Sequence, residues 1–327
     1  MTGPPTSLTP LLERARAAFL EACALDVATP KPGNVSTQSP GHGMSADQFV
    51  ASAHASLDAL FTPGARVGQR ILDAVTRTRA VAGCNTNLGI VLLVAPLAAA
   101  LDQLDDRGNS SAPSEASETS ENHKPTLSTQ TWRAAVSRVL TKLDIDDAHL
   151  AYRAIALANP GGLGDAPEQS IHAPPTIGLR DAMRLASERD SIARQYANGF
   201  ADLFDTGLAA YREAPAEAPA DALEVAMLNV FLAFLGGWPD SHIVRKHGLE
   251  LAQSVTLAAR EQQARWRQTA ALSPQSHRTT ADPQLDAWDA QLKARAINPG
   301  TSADLAVATL FVARCIEAGR APEPAAS

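Results

Sequence analysis

The chain has 327 residues, 45% of them hydrophobic, and a formal net charge of −7, so it can bury a core of ordinary size. The acidic balance excludes general binding to a nucleic-acid backbone, while local basic clusters can still take a small anion. Cys23, Cys84 and Cys315 are scattered, and no histidines fall at metal-ligand spacing, which excludes a disulfide framework and a zinc ribbon.

The opening MTGPPTSLTP lacks a basic region followed by an apolar stretch, as a signal peptide would show. The most apolar run, Leu88 to Leu101, is interrupted by Pro96 and is short for a bilayer. The expectation is a soluble cytoplasmic protein, with no membrane or nucleic-acid partner.

Aromatic residues make up 5% of the chain, alternating β-branched runs are nearly absent, and Ala and Leu recur at helical spacing. This pattern predicts an all-α fold. Helices are expected at 10–28, 45–61, 64–80, 86–104, 130–143, 145–158, 179–211, 220–236, 241–270, 284–296 and 302–318. Thr9 before Pro10 gives an N-cap with proline at the first helical position. Ser45 and Gln48 are spaced as a capping box, with Met44 and Phe49 as its hydrophobic staple. Thr301 or Ser302 can cap the last helix. The polar stretch 105–130 cannot offset its ordering entropy by burial and reads as a disordered insertion. Segments 213–220 and 273–283 are further loops, and composition marks no boundary, so 1–327 reads as one domain.

Taken in chain order, several segments can carry chemistry. After the first helix, Lys31 and Gly33 lie in a proline-stiffened loop, either as a solvated helix stop or as a point charge beside a close-approaching backbone. Asn85 and Thr86 can cap the apolar helix or offer donors to a phosphate. Asp146 and Asp147 complement a helix N-terminus or hold Mg²⁺. The run 160–164 holds three glycines and suits a tight loop. Arg180, Asp181, Arg189, Asp190 and Arg194 lie in one stretch, and Asp190 and Arg194 are spaced for a surface ion pair. His242, Arg245 and Lys246 form a cationic group at a helix start. Gly300 and Ser302 open the last helix as an anion-binding turn, and Asp304 nearby either completes the cap or ligates a bridging Mg²⁺.

Eight of these segments in series resemble the triphosphoribosyl-dephospho-CoA synthase family. They are TPKPGNV (29–35), GCNTNLG (83–89), DDAHLAYRAI (146–155), PGGLG (160–164), LRDAM (179–183), ERDSIARQYANGF (188–200), DSHIVRKHG (240–248) and NPGTSADLAVATLF (298–311). The resemblance implies an all-α transferase that joins the triphosphoribosyl group of ATP to 3′-dephospho-CoA. Adenine is released, and the product is a prosthetic-group precursor. It also implies Mg²⁺ as cofactor, with Asp147 and Asp304 as candidate ligands, and Asp146, Asp147, Asp181 and Asp304 as the acidic catalytic set. Lys31, Gly33, Asn85, Thr86, Arg180, Arg189, Arg194, His242, Arg245, Lys246, Gly300 and Ser302 are then the candidates for contacts to nucleotide and phosphate. This chain has Asn87-Leu88 where the family tends to carry His-Lys, and Asn34-Val35-Ser36 where it tends to carry Leu-Val-Asp. The alternatives are a related transferase with another phosphorylated acceptor and a non-catalytic nucleotide-binding protein.

Overall fold

Thr9 accepts a bond from the Leu12 amide (3.4 Å), and Pro10 occupies the first helical position, so α1 runs Pro10–Ala28. The computed structural model describes residues 8–110, 127–160, 169–171, 173–214, 222–272 and 282–319. Its further helices are α2 (Ala46–Leu60), α3 (Val67–Ala82), α4 (Leu88–Ser110), α5 (Thr129–Thr141), α6 (Ile145–Ala158), α7 (Leu179–Ala186) and α8 (Ser191–Asn198). After a π-turn at Leu203–Gly207 come α9 (Leu208–Arg212), α10 (Ala222–Gly237), α11 (Ser241–His247), α12 (Leu249–Leu272), α13 (Pro283–Ala294) and α14 (Gly300–Glu317). Among the described residues there is no strand, and one isolated bridge joins Gly41 to Met44. The all-α expectation is met.

Three helices, α4, α10 and α14, are apolar nearly all round and therefore sit inside the others. α14 packs against α1, α4 and α10, while α2, α3 and α6 form a neighbouring layer. At the centre, the Phe311 ring meets Trp132, Phe61 and Phe19 with centroids 5.7–6.4 Å apart. These are edge-to-face distances that favour aromatic pairs.

Leu88–Asp105 is long and apolar enough to cross a membrane, but 78% of it is buried within this fold. Its Pro96 removes the N–H that would bond the Leu92 carbonyl. The Tyr196 hydroxyl supplies the missing donor at 2.6 Å, and burial raises its pKa so that it remains a phenol. A proline inside the helix is thus compensated from α8.

Several expected boundaries shift for identifiable reasons. The single helix expected over 179–211 is broken. Asp190 is extended (φ −135°) and caps α8, and Gly199 ends α8 in the left-handed region (φ +73°). The helix expected over 241–270 is divided at Gly248 (φ +89°). The last helix begins at Gly300, before the expected Ser302, so Asp304 lies in its second turn. The expected insertion also changes at both ends, because α4 continues to Ser110 and Ser128 caps α5. Its middle, the 161–164 glycines and most of the two later loops lie outside the described residues.

Candidate active site

A cavity of about 800 Å³ opens between the end of α1, the loop after it, the start of α4, helices α6 to α8, α11 and the start of α14. Its size is in the range that holds a nucleotide-sized ligand. Three aspartate devices build its polar side.

Asp240 fastens two helices together. Its Oδ1 accepts from the amides of His242 and Ile243 (2.9 and 3.2 Å), capping α11, while Oδ2 accepts from the Ser302 amide and hydroxyl (2.7 and 2.8 Å). The anion that the Ser302 amide and hydroxyl hold is therefore the chain's own carboxylate rather than the expected phosphate, whereas Gly300 stands in the cavity wall. Burial raises the Asp240 pKa, and these bonds oppose the rise. Asp190 works similarly, with Oδ1 on the amides of Ile192 and Ala193 and Oδ2 on Arg245 Nη1 (2.9 Å). The third device is a buried pair, Lys31 Nζ with Asp26 Oδ1 at 3.1 Å. Burial raises the Asp26 pKa more than the lysine lowers it.

The loop after α1 is held from α13. Asp289 accepts from the Gly33 amide (2.7 Å) and the Ser39 hydroxyl (2.6 Å), and Lys293 donates to the Ser39 carbonyl (2.7 Å). Gly33 is left-handed (φ +81°), and a Cβ there would stand 2.8 Å from Pro299 Cδ. Glycine is required by both conformation and space. This clamp fixes Asn34 and His42 in the cavity wall, with His42 Nε2 2.8 Å from the Gly33 carbonyl.

Asp304 faces the cavity differently from the other acids. Among the described residues, no hydrogen bond or ion pair reaches its carboxyl. It lies against Gly89 in the first turn of α4, where a Cβ would overlap Oδ2 and stand 2.6 Å from Cγ. Desolvation is the main cause that lifts its pKa well above the usual carboxylate range, although it keeps some exposed surface along the cavity. Asp26, Asp240 and Asp190 add to the rise and Arg245 opposes it. His242, also in the wall, is pushed down to about 3 by desolvation and then by Lys246, Arg245, His42 and His247. It is a neutral imidazole whose buried Nε2 has no partner among the described residues.

The cavity therefore brings together Asn85, Thr86, Arg189, His242, Arg245, Lys246, Gly300 and Asp304 of the expected set. The 85–86 segment serves the start of α4 and also stands in the cavity wall. Asn85 Oδ1 accepts from the Leu88 amide (3.1 Å) and Thr86 bonds Ser52 (2.6 Å), while both residues line the cavity.

The other expected residues lie elsewhere. Asp147 accepts from the buried Gly68 amide (2.8 Å), closes the capping box of α6 and meets Arg66 Nε (3.3 Å). It is not part of the lining and does not share a ligand position with Asp304. Asp146 is exposed beside Arg66 (3.3 Å), and Asp181 is exposed 4.0 Å from Arg184. Arg180 donates to the Tyr196 carbonyl (3.2 Å). Arg194 binds Asp202 (2.8 Å) and stacks 3.9 Å over Trp238, so its expected pairing with Asp190 is replaced by Asp190–Arg245. Lys31, Gly33 and Ser302 act behind the wall rather than in it.

Sequence reasoning missed Asp26, Asn34, His42, Arg79 and Asn298 in the lining. One signal was available: Asp26 stands between Leu25 and Val27 near the end of an apolar helix, where an acid needs a partner.

Comparison with known proteins follows the same line. The family model described as ATP:dephospho-CoA triphosphoribosyl transferase matches residues 12–322. A solved structure from Archaeoglobus fulgidus, provisionally described as a triphosphoribosyl-dephospho-CoA synthase, has a TM-score of 0.58 at 20% identity, covering 83% of this chain and 98% of its own. At that identity it supports the fold. A search of curated proteins gives no match. With the family model extending over nearly the whole sequence, the chain belongs to the ATP:dephospho-CoA triphosphoribosyl transferase family.

Proposed function

We propose that the cavity is where this transferase moves the triphosphoribosyl group of ATP onto a ribose hydroxyl of 3′-dephospho-CoA. The observation that carries the placement is the sorting of charge by depth. Arg79, Arg189 and Lys246 line the exposed part of the cavity, and among the described residues no hydrogen bond or ion pair engages their side chains. Asp26, Asn34, Asn298 and Thr301 line the buried part, together with the unpartnered Asp304. Phe49, Leu179 and Met183 supply apolar wall.

A nucleotide fits this gradient in one sense. Its triphosphate meets the outer cations, its ribose reaches the acids, and its base lies on apolar surface. In the transfer, the bond from the anomeric carbon to adenine breaks with its electron pair going to the base. The acceptor oxygen forms the new bond to that carbon. Asp304 takes the hydroxyl proton and passes it to solvent, and adenine takes up one proton, so the exchange balances. The ionised form of Asp304 is the one that acts, and its raised pKa makes that form a stronger base than an ordinary carboxylate. Asp190, fixed by Arg245, provides negative charge towards the sugar as positive charge develops on it.

Magnesium enters this reading with ATP. Among the described residues no group of three or more potential ligands is preassembled, whereas Mg²⁺ on a triphosphate needs one or two carboxylates. Asp26 and Asp190 line the cavity and can supply them, which leaves Asp304 to the proton. When bound, the ion neutralises phosphate charge. Its two substrates being soluble metabolites, we assign the enzyme to the cytoplasm, where its product serves as a prosthetic-group precursor.

The test is mass spectrometry of the purified protein with ATP, Mg²⁺ and 3′-dephospho-CoA. Free adenine and the coupled product should appear together in equal amounts. ATP binding without either product would contradict this reading.

A further inference from the structure

Asn34 and Asn298 belong to segments far apart in sequence, yet Asn34 Nδ2 donates to Asn298 Oδ1 at 3.0 Å. The two side chains are 5% and 6% exposed and both line the cavity. Asn34 Oδ1 is buried and has no hydrogen-bond partner among the described residues. A buried amide oxygen left unbonded is costly, and two apolar residues of the same shape would serve a purely structural contact as well. The geometry calls for a ligand that brings a donor.

The surroundings define that ligand further. Glycine at position 300 lets His242 and Asn298 approach the helix start closely, since a Cβ would crowd His242 Nδ1 at 3.3 Å and touch Asn298 Oδ1 at 3.7 Å. Asn298 and His242 thus share a corner at the start of α14, one helical turn before Asp304. Phosphate oxygens are acceptors and cannot satisfy Asn34 Oδ1. A base edge could, but it would place adenine in the polar corner and leave the apolar wall empty. A hydroxyl donates to Asn34 Oδ1 and accepts from Asn298 Nδ2 at the same time.

We propose that the Asn34–Asn298 pair binds the 2′-hydroxyl of the donor ribose and is a specificity-determining element of the transfer. The inference rests on the reading that puts Asp304 beside the anomeric carbon, because the 2′-hydroxyl is on the carbon next to it. Hydrogen bonds to that hydroxyl strengthen as a glycosyl group approaches its transition state. The pair therefore acts on turnover as well as binding.

The experiment compares ATP, 2′-deoxyATP and 3′-deoxyATP as donors for wild type, Asn34→Ala and Asn298→Ala, all full-length. Wild type should lose about 100-fold or more in kcat/KM on 2′-deoxyATP, as sites built around a substrate hydroxyl do. Asn34→Ala should lose about 10- to 100-fold with ATP and little with 2′-deoxyATP, so the preference collapses. Comparing the ratio between proteins cancels the greater intrinsic lability of the 2′-deoxy bond. A wild type that uses ATP and 2′-deoxyATP equally overturns the proposal without any variant. Equal losses on both donors, or a collapse confined to 3′-deoxyATP, also overturn it. Calorimetric binding of the three triphosphates without acceptor separates this inference from the transfer reading. If no protein turns over, a wild-type binding preference for ATP over 2′-deoxyATP that disappears in Asn34→Ala supports the pair, and equal binding rejects it.

Discussion

Asp147 and Asp304 both lie near a helix N-terminus, and both stand out in the sequence as candidate catalytic acids and metal ligands. Their environments are opposite. Asp147 is the third residue of α6, where free backbone amides need acceptors, and it is taken up by the capping box, the Gly68 amide and Arg66. Asp304 is the fifth residue of its helix, in the second turn, and the first turn is already served by Asp240. It has no capping duty, and among the described residues nothing neutralises it. An acid in a first turn is readily absorbed by the fold, whereas one in a second turn facing a cavity is left available.

The contrast can be broken from the Asp304 side without changing a charge. Alanine at position 89 favours the helix intrinsically, yet its Cβ would overlap the Asp304 carboxyl. Gly89→Ala should lower kcat about 10- to 100-fold by displacing that group, with KM nearly unchanged. Steady-state kinetics with ATP varied checks this. A normal kcat would mean that the carboxyl can move without consequence.

On the other side, Asp147→Ala should act on stability. It strands the buried Gly68 amide and opens the capping box, costing about 2–4 kcal/mol by urea unfolding. A loss below ~0.5 kcal/mol, the scale of ordinary surface substitutions, would show that Asp147 has no such structural duty.

The smallest expected effect sharpens the comparison through pH. Because the folded chain raises the Asp304 pKa, it holds a proton that the unfolded chain releases. Stability from this group is complete below the ordinary carboxylate pKa and is lost as pH rises through the elevated value. Asp26, Asp240 and Asp190 contribute to that elevation and Arg245 opposes it. Asp304→Asn should therefore match wild type near pH 4 and be the more stable protein near pH 8, by a few degrees in melting temperature. Parallel melting curves across that range would contradict the raised pKa.

Much of the fold is legible in the sequence because its causes are local. Helix α1 begins where Thr9-Pro10 places it, and α6 occupies the expected 145–158 between Asp144 and the left-handed Asn159. Local spacing misleads where a long-range partner decides. Asp190 and Arg194, four apart, read as one turn of a continuous helix, but Asp190 caps a new helix and binds Arg245 while Arg194 binds Asp202. Asp240 likewise reads as the cap of α11, and its second duty on Ser302 depends on two distant helices meeting. The site shows the same division. Residues in polar glycine-containing segments, such as Asn85 and His242, were found from composition. Asn34 and Asn298 are not legible in this way, because their pairing joins segments far apart in sequence, and Asp26 shows only as a buried acid five residues before Lys31.

The most direct test of the central claim measures adenine release from ATP by Asp304→Asn and Asp147→Asn, at equal concentrations of folded protein with 3′-dephospho-CoA present. The account predicts that Asp304→Asn is slowed about 10²- to 10⁴-fold, the range lost with a general base, while Asp147→Asn stays within a few-fold of wild type. Normal release by Asp304→Asn together with loss in Asp147→Asn would contradict it and move the chemistry to the α3–α6 side of the molecule.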